Sequence, residues 1–205
     1  MTIERIRYVP GQVLGEADLT EEQLYLLEKA RRHNRMLHGW GIACGLAVRP
    51  GPTGSELTIE PGYALDGNGD EIVVEDDVDV DVRREFDDGN AVSPCSGPGS
   101  KRVRTKRSSG ERLYLAIRYA ECGARPLPAG ESVEYSRTRE SFAVKLLTRL
   151  PRSYRRGRQR VEPESHQCPD PPPEPWVILA EVALDAKLQV SQIDCDTHER
   201  RVAAP

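Results

Sequence analysis

Two short runs late in the chain hold its softest ligand chemistry: His166-Gln167-Cys168 and Cys195-Asp196-Thr197-His198. If strands brought them together they would form a Cys2His2 set, because thiolate and imidazole suit tetrahedral zinc. The single-residue gap between His166 and Cys168 is tighter than usual zinc spacing, and both runs lie in loop-like sequence. A small zinc-binding domain is therefore the alternative reading, and the site expectation is no metal and no cofactor. His33 and His38 lie five apart in a helical stretch, so they do not share a face as ligands at i and i+4 would. His33, on the apolar stripe of that stretch, reads as a core or interface histidine.

Asp66, Asn68 and Asp70 alternate like the start of a calcium loop. The twelfth position is Asp77 where that loop needs Glu, and the flanks read as strands, so a hairpin turn is favoured. No GxSxG, HExxH, Walker A or GxGxxG run occurs, and no nucleophile stands with a base and an orienter. The chain is expected not to be an enzyme, with no catalytic residue. Basic runs at 101–107 and 149–160 could meet phosphate backbones, which makes a nucleic-acid module a further alternative. Tyr154 is the only aromatic within them, so they offer no stacking platform. With acids concentrated from Asp66 to Asp88, the simpler reading is acidic faces docking onto basic loops, or solvated loops.

The elements that would position these groups follow from composition and pattern. The chain has 205 residues, 30% charged and 38% hydrophobic, which suits one β-rich domain over 1–205. With 17 glycines and 16 prolines against 5% aromatics, turns and long loops should be many. A net charge of -4 implies no global preference for nucleic acid or anionic membrane. No window reaches the length of apolar sequence needed for a membrane span, and MTIERIRYVPG has no apolar leader core, so a cytoplasmic protein is expected. Its five cysteines should then be reduced, and an odd number excludes complete internal pairing.

A helix is predicted over 19–39, capped by Asp18 or Thr20, with Thr20-Glu21-Glu22-Gln23 fitting a capping box. Leu19, Leu26, Ala30, Leu37 and Trp40 share its apolar stripe, with Gln23 and His33 between. Trp40 and Leu37 should be buried, against strand 176–184 or a sister helix. Gly39 and Gly41 end the helix. A short strand followed by a loop is expected over 3–14, and further strands at 42–48, 56–60, 63–65, 71–75, 78–82, 113–119, 176–184 and 188–193, with 66–70 as a hairpin turn. Residues 126–132 read as a loop, and 135–147 is ambiguous between strand and helix. Segments 85–111 and 149–175 read as long polar excursions. The fold class is mainly β, a sandwich or partly open barrel, with one long N-terminal α-helix.

Several of these segments carry a resemblance. Tyr8-Val9-Pro10-Gly11-Gln12-Val13-Leu14, Asn34 through Gly41, Gly45-Leu46-Ala47-Val48, Pro61 through Asp66 and Gly69-Asp70-Glu71-Ile72 resemble small baseplate-associated proteins of phage tails and contractile injection systems. The N-terminal shoulder of the type VI secretion baseplate adaptor is similar in order: loop, helix, GL-x-V strand, PG-x-A-x-D hairpin. The likeness is good over 8–80 and loose over 112–201. The chain lacks that adaptor's large receptor-docking portion, and its polar excursions match nothing in it. The resemblance implies a non-enzymatic structural or adaptor subunit, cytoplasmic or within an assembled injection particle. Its expected partners are baseplate, fibre or tail proteins. Self-assembly as a homotrimer is also expected, through the helix stripe together with sheet edges and charged loops.

Overall fold

Alternating apolar residues separated by Gly, Pro and Asp turns organise most of this chain into antiparallel strands. The computed structural model describes residues 4–86, 88–97, 99–104, 110–129, 132–155 and 171–196. Helix α1 (Glu16–His33) runs into a π turn (Asn34–His38). Short strands follow: β1 (Gly41–Gly45), β2 (Val48–Pro50), β3 (Glu56–Ile59), β4 (Gly62–Leu65), β5 (Glu71–Val74), β6 (Val78–Asp81), β7 (Arg84–Phe86) and β8 (Arg102–Arg104). Two long strands, β9 (Arg112–Ala129) and β10 (Ser132–Leu147), precede a helical turn α2 (Arg152–Arg155). β11 (Val177–Leu184) and β12 (Val190–Asp194) complete the order. The sheets run β1-β4-β5, β2-β3-β6, β7-β8 and β10-β9-β11-β12. The expected class, mainly β with one long N-terminal helix, is what the chain adopts.

One hydrophobic core joins the three larger sheets. Leu57 and Ile59 of β3, Ile72 of β5, Val80 of β6, Leu115 and Ile117 of β9 and Leu179 of β11 are all completely buried in it. Where the sequence alternates, burial alternates: in β5, Ile72 and Val74 face in while Glu71 and Val73 face out. β11 begins with four consecutive buried residues, as its unbroken apolar run requires.

Several expectations need correcting. The described residues 4–14, expected to hold a short strand, form none. Residues 42–48 form two strands in two sheets, because Gly45 (φ 62°) and Leu46 (φ 54°) turn the chain between them. Gly45 is obligatory there: a Cβ would lie 2.2 Å from the Pro61 carbonyl oxygen. Residues 126–132, read as a loop, belong largely to the β9–β10 hairpin, whose register runs from Tyr114↔Leu147 to Ala129↔Ser132. The ambiguity over 135–147 resolves to strand. Prolines 126 and 128 are tolerated because β11 pairs only with Arg112–Ile117 of β9, leaving its outer half with a free edge. The hairpin thus projects past its neighbour as an arm.

The described part of excursion 85–111 is tied down. Ala91 is completely buried, Val92 bridges to Val144 of β10, and Cys95 forms a disulfide with Cys122 of β9. Arg102 donates to the Ala91 carbonyl at 2.9 Å and lies over the Phe86 ring. Backbone pairing and a covalent bond do this docking, so low apolar content did not announce it. Reduced thiols were expected throughout; a leader bears on compartment, whereas pairing follows proximity, here a 5.4 Å Cα separation. Cys44 is free and exposed, and Cys195 is free and half-buried. In excursion 149–175, Pro151 is buried and the Tyr154 hydroxyl accepts from the Ile178 amide at 2.8 Å. Residues 156–170 lie outside the described residues.

Candidate assembly surface

The helix and the segment before it present the largest concentration of uncovered apolar side chains. Among the described residues, Tyr8, Val9, Val13, Leu14, Leu19, Leu24, Leu26, Met36 and Leu37 are exposed, nine of the fourteen large hydrophobics so exposed. No residue of α1 is buried. Leu37, expected in the core, is 65% exposed. Trp40 does pack on the core and meets the Tyr154 ring edge-on at 5.1 Å. The two part company because Gly39 (φ 74°) ends the helical stretch between them, sending Trp40 inward with β1 and leaving Leu37 on the helix.

The helix begins earlier than its sequence suggested. Gly15 is the N-cap, and Asp18, three residues in, accepts from the Gly15 amide at 2.8 Å. Asp18 therefore supplies the reciprocal half of a capping box and is not itself the cap. Along one flank the Tyr8 hydroxyl donates to Glu22, fastening the N-terminal segment to the helix. The π turn, closed by the Gly39 amide on the Asn34 carbonyl at 2.9 Å, corrects the reading of the histidines. In a π turn residues five apart stack, so the His33 and His38 rings approach to 5.3 Å. His33 is exposed, not a core histidine.

What holds the helix is a polar clamp at its C-terminal end. The Arg31 Nε donates to Asp70 at 2.5 Å, Asn34 Nδ2 to the Gly69 carbonyl at 2.9 Å, and Arg35 to the Asn68 carbonyl at 2.5 Å. Loop 66–70 is the expected hairpin turn, and both its carboxylates are engaged, Asp70 by Arg31 and Asp66 within the loop. Asp66 accepts from the amides of Asn68 and Asp70, at 2.8 and 3.1 Å. Burial pushes the Asp66 carboxyl up to about 6, and neighbouring Asp70 adds to the rise while those amides oppose it. Gly69 allows the close approach: at φ +88° its α-carbon faces the Arg31 carbonyl, which a Cβ would meet at 2.3 Å. Basic residues in the last helical turn and acids in the loop were visible in the sequence; their pairing was not.

Two further regions complete the surface. The outer half of the arm exposes Leu127, Val133 and Tyr135, in a stretch that read as a loop over 126–132 and as ambiguous from 135. A cleft of about 450 Å3 beside β5 is lined by Glu71, Glu75, Asp76, Asp77 and Glu140 over Val73 and Phe142. Of the acidic stretch, only residues 71–77 share this cleft: Asp66 and Asp70 are buried at the clamp, Arg49 pairs with Asp77, and Thr58 donates to Asp79 at 2.6 Å.

Of the zinc residues, only Cys195 is described; its thiol donates to the Val48 carbonyl at 3.3 Å. His166, Cys168 and His198 lie outside the described residues. From the basic runs, Arg102 is engaged as above and Arg104 and Arg149 line a second cleft with Lys145, Glu85 and Glu174. Residues 105–107 and 156–160 are likewise outside the described set. No helix among the described residues is long and apolar enough to cross a membrane. Comparison of the chain with protein-family models and with curated proteins finds no match.

Proposed function

We propose that this protein is a non-enzymatic structural or adaptor subunit of a phage-tail-like contractile injection apparatus, joining a baseplate to a fibre or another peripheral part. The observation that carries an assembly role is the uncovered helix and N-terminal segment beside a β core to which α1 contributes no buried residue. Large contiguous apolar patches on a folded chain mark surfaces that another component covers. The placement of this surface in the apparatus rests on the resemblance over 8–80, which includes the segment, the helix and the clamping hairpin.

Co-expression with the baseplate, sheath, tube and fibre proteins of such a system is the test. Stoichiometric recovery with a baseplate or fibre component, lost when residues 4–37 are removed, supports the reading. Recovery of the full chain alone in every combination, together with turnover of a substrate, overturns it.

A further inference from the structure

We propose that α1 is a two-fold interface, on which the helix of a second copy of this chain lies antiparallel. Three observations lead there. The first is a seam: Leu19, Gln23, Leu26 and Ala30 recur at spacings of four, three and four, which places them on one stripe. All four are exposed, Leu19 to 49% and Leu26 to 58%. The π turn rotates Leu37 away from this stripe, so the seam ends near Ala30.

The second is the distribution of charge. The helix is acidic at its start, with Glu16, Asp18, Glu21 and Glu22, and basic at its end, with Lys29, Arg31 and Arg32. Arg31 is committed to Asp70 and Glu28, whereas Lys29 and Arg32 have no ion-pair partner among the described residues. A two-fold axis at Leu26 sets Leu26 against its copy and brings the Glu22 carboxylate of each helix, which also accepts from the Tyr8 hydroxyl, beside Lys29 of the other, twice per pair. It also opposes the two helix dipoles. A parallel arrangement would stack acidic half on acidic half and give Lys29 no acid. The helix face is thus complementary to itself under one symmetry, the isologous one.

The third is mechanical. The clamp at Arg31, Asn34 and Arg35 holds the helix by its C-terminal end and leaves the seam clear of the chain's own core. Exposed Val13 and Leu14 of the preceding segment extend the apolar area beside it. The association is independent of the injection-apparatus reading and can hold if that reading fails.

Light scattering and sedimentation equilibrium of the full chain test it, with two single charge reversals. The unaltered chain should show the mass of two chains at micromolar concentration and low salt, dissociating as salt rises. Glu22→Lys sets lysine against Lys29, and Lys29→Glu sets glutamate against Glu22. Each should weaken self-association by roughly tenfold while circular dichroism stays unchanged. Mixing the two variants should restore a two-chain mass, because each then meets its opposite charge; a folding defect would not recover on mixing. A mass of one chain at all salts overturns the proposal and assigns the face to a different protein. So does a mass of three chains, or two reversals that leave the mass as it was.

Discussion

Leucine behaves in two ways in this molecule. In the β core, Leu57, Leu115 and Leu179 are completely buried in the cluster that the three larger sheets share. In α1, Leu19 and Leu26 stand on an equally regular stripe and are exposed. The core is held by area removed from water, the helix by three charged or polar contacts at one end. Amphipathic periodicity therefore states that a face requires a partner, without stating that the same chain provides it.

Substitutions should separate the two regions by size of effect. Leu115→Ala removes a fully buried side chain between β10 and β11 and should cost 2–5 kcal/mol, read from denaturant unfolding. A cost near zero would mean the sheets are not packed as described, and the contrast with the helix would collapse.

The clamp offers the next effect, through pH. Asp66 titrates near 6 when folded and near 3.8 when unfolded. The folded state therefore binds the proton more tightly, and this group's contribution to stability is full below pH 3.8 and is lost as pH rises through 6. That difference corresponds to about 3 kcal/mol. Asn at this position keeps an oxygen for the Asn68 and Asp70 amides but does not titrate. The stability gap between the native chain and Asp66→Asn should shift by about that amount between pH 7 and pH 3. Parallel stability curves for the two would show that Asp66 is not buried as a free carboxyl.

A smaller and more local effect is expected at Gly69. Ala there would combine an unfavourable φ with a clash on the Arg31 carbonyl, for about 1–3 kcal/mol. Hydrogen exchange should quicken in residues 31–38 and loop 66–70 while β9 and β11 stay protected. Uniform quickening would mean the clamp and the core unfold as one unit. Smallest of all, Leu37→Ala should change stability by less than about 0.5 kcal/mol, since its side chain is largely in water already.

The order of most strands, the 66–70 hairpin and the presence of the N-terminal helix could be read from residues alone, because each is set by period-two or near-3.6 alternation and by Gly, Asp and Asn at turns. Local chemistry also placed acids early and bases late on that helix. Other features depended on contacts distant in sequence. The core buries no residue of α1, and the helix is anchored by a clamp joining residues 31–35 to 68–70. The strapping of segment 88–104 rests on a disulfide to Cys122 and a backbone bridge to Val144, neither of which leaves a hydrophobic period. The long β9–β10 arm escaped because an edge tolerates prolines and charges that a buried strand would reject. Periodicity records what each segment needs from its surroundings; only the folded chain decides which segments find it at home.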